Sequence, residues 1–101
     1  MKTVIDGKTY NTETAEKIGT EWNGLSPSDF RNWEETLYKT KKGNFFIVGR
    51  GGAMTRWSKS NGNTSWGSSG VIAIDKAEAL EWCEKYVSTE IIEKHFEVEE
   101  A

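Results

Sequence analysis

The pattern that most constrains the fold of this chain is an apolar strand–turn–strand segment over residues 33–49. Residues 33–40 alternate as a strand does, Lys41-Lys42-Gly43-Asn44 supplies a turn, and residues 45–49 return antiparallel. Phe45 and Ile47 point to one face of the second strand, and Phe46 and Val48 point to the other. Because both faces are apolar, each needs cover. We therefore expect this hairpin at the centre of a small antiparallel sheet.

The segments before this hairpin predict shorter elements. Asp6-Gly7 lies between two short strand-like runs and suits a type I′ turn, so residues 2–10 are expected to form a hairpin, which is a candidate to join the sheet. Asn11 or Thr12 offers an oxygen that can cap a short helix over residues 13–18, with Gly19 just past its end. Residues 21–32 hold the single proline and are expected to form a loop.

The segments after the hairpin predict a strand and two helices. Residues 71–74 form a short apolar strand, expected to be buried on both sides. Asp75 can cap a helix over residues 76–87, and Glu78 stands three residues later as in a capping box. Apolar residues recur at three- and four-residue spacing along this helix, and a second short helix follows from Ser88 or Thr89. The predicted fold is thus a single α+β domain over residues 1–101, with a glycine-rich loop at 49–70 and a frayed tail at 97–101.

Charge is distributed very unevenly along the chain. Residues 36–74 contain no Asp or Glu and carry six Lys and Arg residues, which gives a net charge of +6. Residues 1–35 carry seven acids against four bases, and residues 75–101 carry nine against three, so the net charges of −3, +6 and −6 sum to −3. An asymmetry of this kind carries information about partners rather than about fold.

The basic middle of the chain supplies the candidate contact residues. Arg50, Arg56 and Lys59 are interleaved with Trp57 and Trp66, which allows three interpretations. The segment can bind phosphates and stack bases, it can meet an acidic protein surface, or its tryptophans can pin the loop to the core while the cations complement the acidic helix. A further alternative is that the acidic helices imitate nucleic acid in the basic groove of a partner. The candidate binding set is Lys41, Lys42, Arg50, Met54, Arg56, Trp57, Lys59 and Trp66.

No catalytic or metal-binding signature rises from the sequence. One His and one Cys are too few for the usual metal-ligand sets, and no cofactor motif is present. His95 is expected in a packing or surface role, and Cys83 is expected to be a buried, inert thiol. Acid–base catalysis needs a carboxylate in an apolar pocket, and nothing in the sequence indicates one, since Glu34 and Glu35 alternate across a strand. We therefore expect a protein that is not an enzyme.

Three features bear on compartment. The single cysteine excludes an internal disulfide and favours a reducing compartment. No apolar run approaches the roughly 20 residues needed to cross a bilayer. The first residues, MKTVIDGK, lack the apolar segment of a signal peptide. The sequence thus predicts a cytoplasmic protein without a membrane partner.

Several motifs, taken in order, resemble a known family. They are YNTETA from Tyr10, LYKTKKG from Leu37, GGAMT from Gly51, SWG from Ser65 and the helix from Ala77 to Trp82. The set resembles a family of small, largely uncharacterised proteins carried by phages and integrative elements of mainly Gram-positive bacteria, and it spans most of residues 8–96. This resemblance implies no enzyme activity and no agreed site residues.

The resemblance does imply a cellular context. Accessory proteins of mobile elements often act on host machinery, including defence systems. The expected function is therefore a non-enzymatic binding protein that inhibits a host factor, such as a CRISPR or other defence system, in the cytoplasm of the bacterial host. Its partner would be a host protein or ribonucleoprotein. The alternative is a small nucleic-acid-binding accessory protein that uses the basic and aromatic patch over residues 39–66.

Overall fold

A computed structural model describes residues 1–101 as eight strands and two helices. The strands are β1 (Lys2–Ile5), β2 (Lys8–Asn11), β3 (Glu16–Trp22), β4 (Trp33–Lys39), β5 (Phe45–Gly51), β6 (Lys59–Ser60), β7 (Ser65–Trp66) and β8 (Ser68–Ile74); the helices are α1 (Lys76–Tyr86) and α2 (Thr89–His95). The fold is α+β, as the sequence predicts.

The main sheet has four antiparallel strands in the order β3-β4-β5-β8. The predicted hairpin is its centre: β4 and β5 pair over seven residues, from Trp33 opposite Gly51 to Lys39 opposite Phe45. Because successive side chains of a strand alternate, this register gives the sheet two distinct faces.

One face of the main sheet, here called the helical face, is covered by α1 and α2. Leu37 of β4 and Ile47 of β5 are completely buried there, together with Cys83 of α1. Phe45 stacks on Phe96, which follows α2, with ring centroids 5.2 Å apart. Burial of side chains of this size contributes about 1.5–3 kcal/mol each relative to exposure. The helical face therefore holds the main core of the domain.

The opposite face, here called the second face, is covered only in part. The hairpin β1–β2 lies there, and Asp6 and Gly7 take the positive φ values of 50° and 75° that its predicted turn requires. Tyr10 of this hairpin packs edge-on against Phe46, which stacks on Tyr38. The hairpin forms a separate two-stranded sheet, so the expectation that it joins the main sheet is wrong.

Both helices begin at the predicted caps. The Asp75 side chain accepts a hydrogen bond from the Glu78 backbone N–H, and the Ser88 hydroxyl accepts one from the Ile91 N–H. These side-chain oxygens satisfy N–H groups that have no partner within the helix. Neither helix has the length and apolar character that crossing a membrane would require.

The predicted helix over residues 13–18 is wrong, because strand β3 begins at Glu16. Asn11 does start a turn, since its side chain accepts from the Glu13 N–H and its carbonyl accepts from the Ala15 N–H. The chain then becomes extended, and β3 pairs antiparallel with β4 from Glu16 opposite Lys39. A β-bulge between Lys17 and Gly19 breaks the pairing with β4, and Ile18 at this bulge is buried in the core.

Two boundaries in the second half of the chain also differ from expectation. The glycine-rich loop predicted at 49–70 is shorter, because β5 continues to Gly51, β6 pairs with β7, and β8 already begins at Ser68. Residues 71–74 are not buried on both sides, because β8 is an edge strand of the main sheet. The connection from residue 52 to residue 67 is therefore structured, and it lies at one end of the sheet.

Candidate functional site

The antiparallel order gives the main sheet two ends of different character. At the turn end, β4 and β5 are joined by the short turn at residues 40–44. At the opposite end, called here the loop end, lie the two long connections over residues 23–32 and 52–67, where β3 and β5 finish and β4 and β8 begin. The loop end holds the distinctive chemistry of the protein.

A buried carboxylate organises the helical face near the loop end. Glu35 is 6% exposed and accepts hydrogen bonds from two indole N–H groups, from Trp57 at 2.8 Å and from Trp82 at 2.9 Å. Arg56 completes the set by donating from Nε and Nη2, each at 2.9 Å, to the two carboxylate oxygens. Each oxygen thus accepts one indole and one guanidinium hydrogen bond, which satisfies a buried charge well.

The guanidinium of Arg56 links this carboxylate to helix α1. Its Nη1 donates to Glu78 at 3.2 Å. Partial burial alone lowers the pKa of Arg56, but the hydrogen bonds and charges of Glu35 and Glu78 outweigh it and hold the pKa above its usual value. The arginine therefore stays charged and ties β4, the loop after β5 and α1 together.

This arrangement corrects the expectation that no carboxylate lies among apolar side chains. Glu35 does lie among them, but its oxygens are occupied by four donors and the side chain is held in one orientation. A cavity of about 720 Å³ opens beside it, lined also by Trp33, Met54 and Tyr86. A carboxylate engaged in this way acts as a structural anchor, since a general base must have a free lone pair that faces its substrate.

The loops at this end are fastened to one another by backbone contacts. Met54 N–H donates to the Phe30 carbonyl at 2.8 Å, and Gly52 N–H donates to the Asn32 carbonyl at 2.8 Å. A Cβ on Gly52 would overlap with the Phe30 carbonyl, so this close approach requires glycine. The Asn32 side chain in turn donates to the Pro27 carbonyl at 3.2 Å. The two long connections are therefore held in a defined arrangement.

Large apolar side chains project from these fixed loops into solvent. Phe30 is 67% exposed, Met54 is 70% exposed and Trp66 is 45% exposed, while Trp22 at the end of β3 is 57% exposed. Phe30, Trp66 and Arg50 line a shallow depression of about 670 Å³. We call Trp22, Phe30, Arg50, Met54 and Trp66 together the loop-end surface.

The arginines at the loop end are paired with acids from the flanking segments. Arg50 lies 3.4 Å from Glu34, and Arg31 lies 3.0 Å from Asp29. Hydrogen bonds from the side chain and backbone of Arg31 hold the pKa of Asp29 below its usual value. Because Arg56 is paired as well, two of the six cations of the basic middle are paired with acids from the flanking segments, and both of these are arginines. The lysines of the basic middle have no acidic partner within 4.0 Å.

The predicted binding set is divided by the structure. Lys41 and Lys42 lie in the turn at the turn end, about 17 Å of strand away from Arg50 at the spacing of about 3.4 Å per residue. Trp57 is buried against the core and hydrogen-bonded to Glu35, so no base can stack on it. Lys59 lies in β6 opposite Trp66 and has no acid within 4.0 Å. Arg50 and Trp66 line one depression at the loop end, whereas Met54 lines the separate cavity beside Glu35, together with Arg56, whose charge is paired.

Three residues of this region, Glu35, Phe30 and Trp22, are absent from the site that the sequence predicts. For each of them the sequence contains an indication of its role. Glu35 shares a strand face with Leu37, which marks the buried side. Phe30 and Trp22 stand in a segment expected to be a loop, where large aromatic side chains have no strand or helix face to join. What the sequence lacked was the position of these loops relative to residues 50–66.

Comparisons with known proteins add no further information on the site. No group of three or more His, Cys, Asp or Glu side chains is arranged to hold a metal ion. Searches against known protein families, curated proteins and solved structures each returned no match for this chain.

Proposed function

We propose that this chain is a non-enzymatic binding protein that contacts a partner protein through its loop-end surface. The single observation that carries this proposal is the group of exposed aromatic and methionine side chains on loops fixed by backbone hydrogen bonds. Trp, Phe, Met and Arg are enriched in protein interfaces, and aromatic anchors often dominate their binding energy. Fixed loops lose little conformational entropy when they bind, which favours affinity.

The charge distribution supports a protein partner more than nucleic acid. Non-specific binding to nucleic acid depends on free cations that neutralise phosphates. The arginines at the loop end are engaged with Glu34, Glu35 and Asp29, and the free lysines 41 and 42 lie at the other end of the sheet. Lys59 alone remains near Trp66 without an acidic partner.

We further propose that the partner is a host protein and that binding obstructs it. The resemblance to proteins of phages and integrative elements supports a bacterial host factor, such as a component of a CRISPR or other defence system. Inhibition by obstruction requires only a stable contact, which a small domain with a preformed surface can supply.

The test is an affinity capture from the bacterium that carries the gene, with and without nuclease. We expect the wild type to retain one stoichiometric protein after nuclease treatment. The variant Phe30→Ser/Trp66→Ser should lose that protein, because removal of a central anchor weakens binding by at least about 2 kcal/mol, or roughly 30-fold. Both side chains are exposed, so the fold should be unchanged by circular dichroism.

A matched control lies at the other end of the sheet. Lys41→Ser/Lys42→Ser removes two exposed cations far from the loop-end surface and should leave capture unchanged. If this variant loses the partner while Phe30→Ser/Trp66→Ser retains it, the proposed surface is wrong. Recovery of nucleic acid, with binding lost on digestion and weakened steeply by salt, would favour the nucleic-acid-binding function instead.

A further inference from the structure

Strand β8 leaves one edge of the main sheet open. Residues 68–74 pair with β5 over seven positions, from Ser68 opposite Gly51 to Ile74 opposite Phe45. No other segment forms a backbone hydrogen bond with β8, and the only side-chain bond to its backbone is a local one from the Ser68 hydroxyl to the Ser69 carbonyl. The outward N–H and C=O groups of β8 are therefore free to pair with another strand.

The two edges of the sheet differ in how they are protected. β3, at the other edge, carries Glu16, Lys17 and Glu21 and is interrupted by a bulge, which are the usual devices against edge-to-edge pairing. The sequence of β8 is SSGVIAI, without charge, proline or bulge. A seven-residue uncharged edge of this kind is a template for another strand.

The side chains of β8 are incompletely covered. Val71, Ile72 and Ile74 are only half-buried, whereas Phe45 and Ile47 on the neighbouring strand are buried. Ile72 and Ile74 already pack against the main core on the helical face. An additional strand beside β8 would remove part of the surface of these side chains from water.

We propose that β8 pairs antiparallel with β8 of a second copy of this chain, about a two-fold axis through Val71 perpendicular to the sheet. This register sets Val71 against Val71, Ser69 against Ala73 and Gly70 against Ile72. Each pair joins residues that point to the same face, so the helices of both copies cover one side of a continuous eight-stranded sheet.

The choice of a second copy as the occupant follows from charge and symmetry. No residue of β8 is charged, so like charges do not meet in the symmetric pair. On the second face, Ser69 of each copy lies opposite Ala73 of the other copy. Both side chains are small and exposed, so they meet without a clash. The equivalent pairing of two β3 strands would meet the bulge between Lys17 and Gly19.

The dimer reaches beyond the proposed function and does not depend on it. Ser68 of one copy would lie six residues along the strand from Ser68 of the other, or about 20 Å. The two loop-end surfaces, which begin next to Ser68 at Trp66, would then point away from opposite ends of the paired strands. Such a dimer presents two copies of the contact surface.

Sedimentation equilibrium of the full chain tests the pairing. We expect a reversible monomer–dimer equilibrium between about 1 µM and 1 mM, because one strand pair buries less than a standard stable interface. Ser69→Lys/Ala73→Lys should be monomeric throughout, since each introduced lysine faces another across the pair. Ser69→Glu/Ala73→Glu should be monomeric for the same reason, and an equimolar mixture of the two variants should form a heterodimer.

The control variant is Thr20→Lys on β3, which places the same charge on the other edge and should leave the dimer intact. A wild type that stays monomeric at the highest concentration would overturn the proposal and leave β8 to a strand of another protein. A dimer that survives Ser69→Lys/Ala73→Lys would also overturn it.

A cross-linking experiment checks the register independently. Directly opposed residues in an antiparallel pair have Cα atoms about 4.5–5.5 Å apart, which suits a disulfide. Val71→Cys should therefore form a covalent dimer with oxidised glutathione, whereas Thr20→Cys should not. Cys83 is buried and does not compete. Equal cross-linking of both variants would contradict the predicted register.

Discussion

At the scale of single residues, Glu35 stabilises the domain through its four hydrogen bonds. We predict that Glu35→Gln lowers the free energy of unfolding by about 3 kcal/mol, because the amide removes the charge opposite Arg56 and leaves at least one buried donor without an acceptor. The measurement is urea denaturation followed by tryptophan fluorescence, which reports on the two indoles directly.

The neighbouring residue provides the control for that substitution. Glu34 lies on the second face, and its ion pair with Arg50 joins two largely exposed side chains at 3.4 Å. Exposed pairs of this kind contribute about 0–1 kcal/mol, so Glu34→Gln should change stability by less than about 1 kcal/mol. Equal effects of the two substitutions would show that Glu35 does not anchor the site.

The sequence identified the strand that carries Glu35 but not its role. Alternation places Glu35 on the same face as Leu37, so its direction toward the core was readable. Its partners were not, because Trp57 and Trp82 lie 22 and 47 residues further along the chain. Only the folded arrangement of a loop and a helix brings both indoles to one carboxylate.

Cys83 gives the stability of the protein a specific dependence on pH. Burial, with a smaller contribution from the Glu84 charge, raises the pKa of its thiol from 9.0 to about 11. The unfolded chain releases this proton near pH 9, and the folded chain retains it until about pH 11. Ionisation therefore favours the unfolded state in that window, and the contribution present below pH 9 is lost by pH 11.

The comparison of wild type with Cys83→Ala isolates this effect, since Lys and Tyr residues titrate in both proteins. We expect the wild type to lose more stability than Cys83→Ala between pH 8 and about pH 10.5 in urea denaturation. Parallel pH profiles would contradict the raised pKa of the thiol.

At the scale of elements, a cross-strand pair of glycines makes room for Trp57. Gly49 of β5 lies opposite Gly70 of β8. A Cβ on Gly49 would run directly into the Trp57 ring, whereas a Cβ on Gly70 would meet that ring at an ordinary 3.8 Å. We predict that Gly49→Ala lowers the free energy of unfolding by about 1–3 kcal/mol through overpacking.

Gly70→Ala is the matched control, because it adds the same methyl group beside the same indole. Neither glycine has a positive φ, so alanine is conformationally allowed at both positions. Gly70→Ala should be neutral or stabilising by up to about 1 kcal/mol, since it restricts the unfolded chain. Thermal unfolding of the two variants checks the difference, and a larger loss for Gly70→Ala would refute the packing argument.

The local sequence pattern predicted the type of each helix and strand correctly, except where pairing with a distant strand determined the structure instead. The apolar alternation of β4 and β5 and the caps Asp75 and Ser88 are local, and each predicted its element correctly. Residues 13–18 include good helix formers, yet from Glu16 onward the chain forms strand β3, which pairs with β4. Gly19 fits there because Val87 approaches to 3.0 Å from the position of its missing Cβ. Neither β4 pairing nor that approach is visible in a short segment.

At the scale of the whole molecule, the domain is more extended than its length suggests. Its radius of gyration is 14.7 Å and its dimensions are 47 × 32 × 21 Å, whereas a typical globular domain of about 100 residues has a radius of gyration near 13 Å. The main sheet and its helices form the body, and the hairpins β1–β2 and β6–β7 form separate two-stranded sheets. We therefore expect parts of this molecule to unfold locally, at free energies below that of global unfolding.

Native-state hydrogen exchange should resolve this hierarchy. Amides of β4 and β5 are flanked by strands on both sides and lie beneath the helices, so we expect them to exchange only through global unfolding. Amides of β6 and β7 belong to a hairpin of two exposed residue pairs and should exchange through local opening at low free energy. Glu35→Gln should lower the protection of β4 and β5 by the same free energy that it removes in urea denaturation, while β6 and β7 exchange at an unchanged rate. Uniform protection across all strands would instead mean that the hairpin β6–β7 unfolds only together with the main sheet.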